Sequence, residues 1–376
     1  MLDVIGYEAF GTYNGKTLME RLAGRFYTPD LAARDLAARM IEASSLPRPR
    51  KVRLADPFCG DGRLIVALLH AASDHPRLSQ ASWTVELRDR ETSAVRLAER
   101  SVRIAATALG MKVDVVAFVG DTFASDLTSR FDFVITNPPW ELLKPDRREM
   151  SAMSIEDASS YRSRLKRHSQ QLDTRFPHSR GEGAWGGWGT NLARCGWDLC
   201  ASIVKTGGVV GILLPSTLLA DQSSAPLRKH LLCRHSIVDV ASYPSEARLF
   251  DRVDQPVSAI TMVAGRSIGS AQIRMFGANR HPVSMASIDI SVDVLAKRKW
   301  TLPVGFGAGA ENVLQRLSGL PTMRDLEGDA PNALWLGREL DETRIVDKIM
   351  KGKKFPFIKG RGGSANSDRT ISGISA

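Results

Sequence analysis

The sequence predicts an α/β fold with an open, mostly parallel sheet. Strand-like apolar runs alternate with helical patterns between residues 51 and 214. Two of these runs, Val113–Val119 (apolar except for Asp114) and Val209–Leu214, are nearly continuous, which is typical of strands buried on both faces. Distinctive polar segments, Leu54–Leu64 and Asn137–Trp140, each follow a predicted strand. Because ligands bind at the carboxyl ends of strands in such sheets, we expect the functional site at these two segments.

The bulk composition indicates a globular protein whose basic charge fits either a polyanionic partner or mere solubility. The chain has 376 residues, enough for one large α/β domain and a smaller appendage. Its formal net charge of +10 suits a partner such as nucleic acid. Its four cysteines have no framework spacing, which predicts reduced thiols in a cytoplasmic protein. We see neither a signal peptide nor a membrane-spanning run of apolar residues.

The first elements are a helix and a β-α unit. A helix is predicted from Asp30 to Ala43, with the side chains of Thr28 and Asp30 serving its first free N–H groups. After a linker at 44–50, a strand leads into a glycine turn and a helix that ends near Ala72. The turn has neither the GxxxxGK[ST] pattern of nucleotide P-loops nor the dinucleotide pattern GxGxxG. Asp56 in this turn can bind an amino group of a cofactor or simply cap the helix.

The next two units place acidic residues after strands. The strand Trp83–Leu87 carries Glu86 near its end, where an acid can accept hydrogen bonds from ribose hydroxyls, and Asp89 is the alternative. A helix with an apolar side follows and ends at Gly110. The third strand leads to Asp121, which can contact a ligand or cap a turn.

A long segment without a sustained period follows the strand Phe131–Thr136 and the tetrapeptide. We predict that residues 141–190 form an inserted loop that covers a substrate. Its basic residues are expected to face phosphates: Arg162, Arg164, Lys166 and Arg167. The alternative is a solvated, partly helical insertion.

The remaining elements complete the sheet. A helix is predicted from Asn191 to the glycine pair Gly207-Gly208. Further elements are predicted at 209–214, 223–233, 237–242 and 257–263. Beyond Gly265 the pattern weakens into basic segments with interleaved aromatics. Four further residues there are expected to bind phosphates: Lys353, Lys354, Lys359 and Arg361. We therefore divide the chain at 1–50, 51–265, 266–361 and 362–376, the last being a disordered tail.

Three motifs carry a family resemblance. Asp56–Gly62, DPFCGDG, resembles the cofactor loop DPACGSG of S-adenosylmethionine-dependent DNA methyltransferases acting on the adenine N6 amino group. Asn137–Trp140 is similar to the catalytic motif NPPY or NPPF of that family. Gly24–Pro29 resembles its N-terminal motif. The three occur in the expected order, and the resemblance covers roughly residues 24–263.

The resemblance implies a fold, a cofactor and a set of binding residues. The fold is a Rossmann-like, seven-stranded class I methyltransferase sheet, mostly parallel with one antiparallel edge strand, plus a small C-terminal appendage. The methyl donor is S-adenosylmethionine. The residues expected to bind it are Phe26, Tyr27, Thr28 and Pro29 at the methionine end, Asp56, Pro57, Phe58, Cys59, Gly60 and Gly62 in the loop, Glu86 at the ribose, Asp121, Thr122 and Phe123 at the adenine, and Asn137.

The tetrapeptide supplies the expected catalytic groups. The side-chain oxygen of Asn137 and the backbone oxygen of Pro138 can accept hydrogen bonds from an adenine amino group, and Pro139 stiffens the turn. Trp140 can stack on a base that has been flipped out of the duplex. The partner implied is DNA, in restriction–modification or phage defence, alone or with a separate specificity or nuclease subunit.

Other functions are compatible with the same tetrapeptide. Methyltransferases acting on RNA adenine or on a protein glutamine carry it as well, and a catalytically silent DNA-binding or assembly subunit is an alternative of another class. The upstream motif at 24–29 and the basic C-terminal third favour a DNA enzyme. The intact glycine loop and Asn137 argue against a silent subunit.

Overall fold

The computed structural model describes residues 28–46, 50–127, 131–145, 150–151, 153–181, 189–250, 254–265 and 269–304, together with strand residues 12–13 and 16–17 and the single residues 313, 316 and 320. The chain divides into two compact units, Met1–Arg316 and Leu317–Ala376, and every element below belongs to the first. Several residues predicted above lie outside the described ones: Phe26, Tyr27, Lys353, Lys354, Lys359, Arg361 and the tail at 362–376.

Strands and helices alternate along the first unit. The strands are β1 Thr12–Tyr13, β2 Lys16–Thr17, β3 Lys51–Asp56, β4 Ser82–Asp89, β5 Lys112–Val119, β6 Phe131–Thr136, β7 Leu142–Leu143, β8 Thr190–Asn191, β9 Val204–Pro215, β10 His235–Tyr243, β11 Val257–Ala264, β12 Ser270–Phe276 and β13 Pro282–Asp289. The helices are α1 Asp30–Ala43, α2 Arg63–Ser73, α3 Thr92–Ala108, α4 Ile155–Arg175, α5 Leu192–Ile203, α6 Ala225–Leu232 and α7 Val292–Lys297.

The central sheet has nine strands, in the order β13-β12-β10-β11-β9-β6-β3-β4-β5. Strands β9, β6, β3, β4 and β5 run parallel to one another. Strand β11 is antiparallel to both of its neighbours, and β13 is an antiparallel edge strand. The predicted α/β class, with a mostly parallel sheet and an antiparallel edge, is confirmed. The strand count of seven is wrong, because β12 and β13 extend the same sheet beyond residue 265, where we had placed a domain boundary.

Helices cover both faces of this sheet, and β6 in the middle shows why. All six of its residues are buried. Phe133 and Ile135 join a core with α1, α2 and α3, whereas Phe131 and Val134 join a second core with α5 and α6. Because side chains alternate between the two faces of a strand, β6 buries side chains on both faces. Its two polar residues, Asp132 and Thr136, are hydrogen-bonded.

Strand β5 differs from the prediction. Its apolar run predicted burial on both faces, but Phe118 and Val119 are 41% and 52% exposed. The reason is that β5 ends the sheet and pairs only with β4 among the described strands. A continuous apolar run therefore did not mark a central strand here.

The segment 141–190 is not the irregular loop that we predicted. It contains α4, a helix of 21 residues that begins at the cap residue Ser154, whose hydroxyl accepts a hydrogen bond from the backbone N–H of Asp157. Among its described residues only Ala158, Tyr161 and Leu172 are buried, so the helix is polar on most of its surface. The helical alternative was the correct one for this part of the segment.

Two element boundaries also differ. Helix α1 begins after Pro29 without a side-chain cap, so Thr28 and Asp30 do not have the capping role that we expected. Strand β9 begins at Val204 and includes Gly207 and Gly208, where we had expected the preceding helix to end. Neither difference moves the strand ends that form the candidate site.

A buried arginine joins α6 to residues on either side of it. Arg228 is 0% exposed, and its guanidinium donates to the backbone oxygens of Leu218, Asp221 and Trp300, each at 2.6 Å. Three acceptors make the burial of this charge tolerable. The contact with Trp300 holds the segment after α7 against α6.

No helix in the described ranges is long and apolar enough to cross a membrane.

Candidate active site

The two predicted motifs meet at one edge of the sheet. Strand β3 pairs with β6, so their carboxyl ends lie side by side. Thr136, the last residue of β6, donates its hydroxyl to Oδ1 of Asp56, the last residue of β3, at 2.6 Å. Asn137 follows Thr136 directly. The cofactor loop and the tetrapeptide therefore form one site, as the strand pattern predicted.

Asp56 is the most unusual carboxyl group of this site. It is 1% exposed, and Oδ1 accepts a second hydrogen bond from the backbone N–H of Phe58 at 3.1 Å. Burial raises the pKa of Asp56 to about 7. Its other oxygen, Oδ2, is buried and has no hydrogen-bond partner among the described residues. A buried acceptor of this kind fits a charged donor such as an ammonium group.

The glycines of the loop have backbone angles that other residues rarely adopt. Gly60 and Gly62 have φ values of 51° and 82°. A Cβ on Gly62 would lie 2.8 Å from Cα of Ala98, so the loop also packs closely against α3. Cys59, between Phe58 and Gly60, is buried, and burial raises the pKa of its thiol above the ordinary range. Cys59 therefore packs in the turn and is no nucleophile.

Two acids end strand β4, and their contacts distinguish them. Asp89 accepts hydrogen bonds from the backbone N–H groups of Gly60 and Glu91, both at 3.0 Å, so it holds the loop and the start of α3. Glu86 instead pairs with Arg88, whose Nε lies 2.6 Å from its Oε1. The Arg88 guanidinium lies over the ring of Phe118, 4.2 Å from the ring centroid. Glu86 thus remains the candidate for ribose binding.

The segment after β5 lies beside the cofactor loop. Asp121 caps a short turn by accepting from the N–H of Phe123 at 3.0 Å, which is the alternative role we had considered. Thr122 donates its hydroxyl to the backbone oxygen of Pro57 at 2.8 Å. Phe123 packs between Phe58 and Phe176, with ring centroids 5.0 and 6.0 Å apart. No sequence pattern indicated Phe176, which reaches this cluster from the end of α4.

The tetrapeptide is fixed by residues distant in sequence. The amide of Asn137 donates to the hydroxyl oxygen of Thr28 at 3.4 Å. The indole N–H of Trp140 donates to the backbone oxygen of Leu213 at 3.3 Å. Trp140 meets Phe250 edge to face, with centroids 5.0 Å apart and planes at 86°. Sequence analysis missed Phe250, because nothing in the local pattern connects it with the tetrapeptide.

Helix α4 carries basic side chains, and its last residue contacts the segment that follows β5. Arg162, Lys166 and Arg167 are exposed, and Arg164 is half-buried. At the end of the same helix, Arg175 donates to the backbone oxygen of Ser125, close to Phe123. The helix thus combines a basic exposed surface with an anchor on the segment that follows β5.

Comparison with known families decides the class of the protein. The sequence profile of the N-6 DNA methylase family matches residues 3–176. Residues 3–176, somewhat under half of the chain, are therefore similar to N-6 DNA methylases. The match covers both the glycine loop and the tetrapeptide, and it implies S-adenosylmethionine as the methyl donor. No curated protein sequence gives a significant match.

Several solved structures are similar to this chain. A type IIG restriction endonuclease, BpuSI, is 14% identical with a TM-score of 0.51, over 73% of this chain and 32% of that one. A type I restriction-modification methyltransferase subunit from Streptococcus thermophilus is 18% identical with a TM-score of 0.48, over 74% of this chain and 58% of that one. A class I S-adenosylmethionine-dependent methyltransferase from Listeria monocytogenes is 16% identical with a TM-score of 0.45, over 73% and 72%. The chain thus spans about one-third, three-fifths and three-quarters of their respective lengths.

The residues of the site fit S-adenosylmethionine. The cofactor carries an ammonium group, and the buried Oδ2 of Asp56 is an acceptor of matching charge. Glu86 is an acid at the next strand end and suits ribose hydroxyls. These groups are the ones that we would assign to the methylase's cofactor.

Proposed function

We propose that this protein transfers a methyl group from S-adenosylmethionine to the N6 amino group of adenine in DNA. One observation carries the proposal: the hydrogen bond between Thr136 and Asp56 joins the cofactor loop to the Asn-Pro-Pro-Trp tetrapeptide at one sheet edge. Methyl donor and acceptor nitrogen must meet in line, and such a junction allows it.

The chain's own groups account for activation of the acceptor. The lone pair of an adenine amino group is delocalised into the ring, so the nitrogen is a poor nucleophile. When bound, the cofactor supplies an electrophilic methyl group on its sulfonium. The side-chain oxygen of Asn137 and the backbone oxygen of Pro138 accept hydrogen bonds from the amino protons as positive charge develops on the nitrogen. The two prolines hold these acceptors in a stiff turn.

Aromatic and basic residues support a flipped-out base as the substrate. Trp140 is held by Leu213 and buttressed by Phe250, so it offers a fixed ring to a base. A base within a duplex cannot reach a pocket at a strand end and must leave the stack. The exposed arginines and lysine of α4 are suited to the DNA phosphates on either side of it.

We assign the parts of the cofactor to residues along the edge of the sheet. In this proposal Phe26, Tyr27, Thr28 and Pro29 hold its methionine end, together with the Asp56 carboxylate. Glu86 takes the ribose, and the segment 121–123 lies at the adenine. A role in restriction–modification, alone or with a specificity or nuclease subunit, completes the proposal; restriction enzymes and restriction-modification subunits share the fold.

Methyl transfer to different acceptors tests the proposal. The protein is incubated with tritiated S-adenosylmethionine and either unmethylated genomic DNA, total RNA or a protein extract, and the label is counted in each. We expect label in DNA, and nucleoside analysis should recover it as N6-methyladenine. Label confined to RNA or to glutamine side chains would replace the proposal with one of the alternatives. A protein that fails to bind the cofactor would be a silent subunit.

The Asp56 carboxyl group should make cofactor binding depend on pH. Its pKa is raised to about 7, so the free protein holds it largely protonated below that pH. The cofactor's ammonium favours the carboxylate, so affinity should rise by up to about tenfold per pH unit between roughly pH 5 and 7. Calorimetric titration at several pH values measures this rise.

Two variants sharpen that measurement. Asp56→Ala should weaken cofactor binding, and the isosteric Asp56→Asn should bind weakly with little dependence on pH. Asp114→Asn, an exposed acid on β5, is the matched control and should behave as the unaltered protein. An unchanged dissociation constant in Asp56→Ala would show that Asp56 serves only the loop backbone.

A further inference from the structure

Arg63 connects two segments of the candidate site. It is the first residue of α2, and its Nε and Nη2 hold the Asp61 carboxylate at 2.9 and 2.7 Å. Its Nη1 donates to the backbone oxygen of Thr28 at 2.8 Å. A planar guanidinium fixed by a carboxylate on one edge directs its Nη1 group along a defined line. The ion pair with Asp61 therefore aims Arg63 at Thr28.

Thr28 is in turn connected to the tetrapeptide. It is buried, and while its backbone oxygen accepts from Arg63, its hydroxyl oxygen accepts from Nδ2 of Asn137. Arg63 and Asn137 thus hold the same residue from two sides. Since α1 starts at Pro29 without a side-chain cap, the Arg63 contact is a substantial restraint on Thr28.

The contact with Thr28 also determines which way the Asn137 amide faces. With Nδ2 directed at the threonine hydroxyl, the amide oxygen is on the opposite side and can accept. An amide rotated by half a turn would present its NH2 group to the acceptor amino group, donor against donor. The orientation of one side chain therefore depends on the position of Thr28.

We infer that Arg63 is a positioning residue for methyl transfer: it holds Thr28 so that the amide oxygen of Asn137 faces the acceptor nitrogen. The inference rests on the proposed function. It differs from a direct role, in which Arg63 would bind the carboxylate of the cofactor. The two roles separate in kinetics, because positioning acts on the transfer step and a direct contact acts on affinity.

Variants at Arg63 and Thr28 test the inference. For Arg63→Gln we expect the single-turnover rate at saturating cofactor to fall by about 10- to 100-fold, as for a displacement of about 1 Å. The calorimetric dissociation constant for the cofactor should change by less than about fivefold. The lysine of Arg63→Lys can reach Thr28 but lacks the planar guanidinium that also binds Asp61. This variant should therefore have a transfer rate between those of Arg63→Gln and the unaltered protein.

A double variant shows whether the effect passes through Thr28. Thr28→Val removes the hydroxyl that orients Asn137 and should itself slow transfer. Adding Arg63→Gln to Thr28→Val should then lower the transfer rate by less than about twofold further, because the effects of coupled residues are not additive. Arg103→Gln is the matched control, since Arg103 forms a similar fork with Glu99 on the exposed side of α3.

Amide hydrogen exchange gives a readout independent of activity. Residues 28–36 should exchange faster in Arg63→Gln than in Arg103→Gln. Any of three results would overturn the inference. Arg63→Gln could weaken cofactor binding alone, its effect on the transfer rate could multiply with that of Thr28→Val, or amide exchange at residues 28–36 could be unchanged. If the unaltered protein methylates no DNA, the proposed function fails, whereas exchange and cofactor affinity still test the Arg63–Thr28 contact.

Discussion

Asn137→Ala is expected to abolish methyl transfer and to leave the affinity for S-adenosylmethionine nearly unchanged. The variant removes the side-chain oxygen that we assign to the acceptor amino group. Groups that stabilise developing charge contribute about 100- to 1,000-fold to such rates, and here the loss should be at the upper end because the amide also positions the base. Single-turnover transfer to DNA and calorimetric cofactor binding measure the two quantities separately.

Two further variants control for the Asn137 experiment. Asn279→Ala changes a turn residue that accepts from the N–H of His281, well outside the predicted motifs, and should retain full activity. Asn137→Asp keeps an acceptor oxygen but loses the amide donor to Thr28, so it should retain a small residual rate. Equal losses of transfer and cofactor affinity in Asn137→Ala would show that the two sites have been assigned to the wrong residues.

Gly196→Ala should also remove most of the methyl-transfer activity, although the substitution removes no functional group. It lies in the middle of α5, where alanine normally stabilises a helix by about 1 kcal/mol. Here a Cβ would lie 2.5 Å from Cβ and 3.1 Å from Cγ of Pro138. The proline ring is part of the backbone and cannot rotate away, so the tetrapeptide itself must shift.

The expected loss from Gly196→Ala is about 100-fold in the transfer rate, with about 1–3 kcal/mol of overpacking strain. Single-turnover kinetics and thermal unfolding measure these effects. Gly269→Ala is the matched control, because a Cβ there meets no atom within 4 Å. A Gly196→Ala protein with near-normal activity and a raised melting temperature would contradict the role assigned to this close contact.

Sequence patterns predicted the strand ends because the relevant signals are local. Asp56 and Asn137 each follow a short apolar strand, and parallel strands bring such positions to one edge. The pairing of Thr28 with Asn137 was beyond this reasoning, since 109 residues separate them. The same holds for Trp140 and Phe250. Contacts of this kind depend on the packing of side chains after the sheet has formed.

Two errors had a common physical cause. Helix α4 buries only three of its described residues, so no apolar stripe marks it in the sequence. Strand β13 exposes Val283 and Met285, at 63% and 61%, so its alternation does not indicate an inner face. Periodicity detects elements that bury one side, and both of these elements lie at the margin of the fold.

The choice between Glu86 and Asp89 needed a different kind of information, the contacts of Asp89 with backbone N–H groups.

The buried guanidinium of Arg228 has a practical consequence for shortened forms of this protein. A version trimmed after Gly265 would lose β12, β13 and the Trp300 oxygen that completes the shell of acceptors. The edge of β10 that pairs with β12 would then be open to pairing with other chains. The buried Arg228 guanidinium would keep two of its three backbone acceptors. Expression of the catalytic unit by itself therefore calls for an end point beyond residue 304.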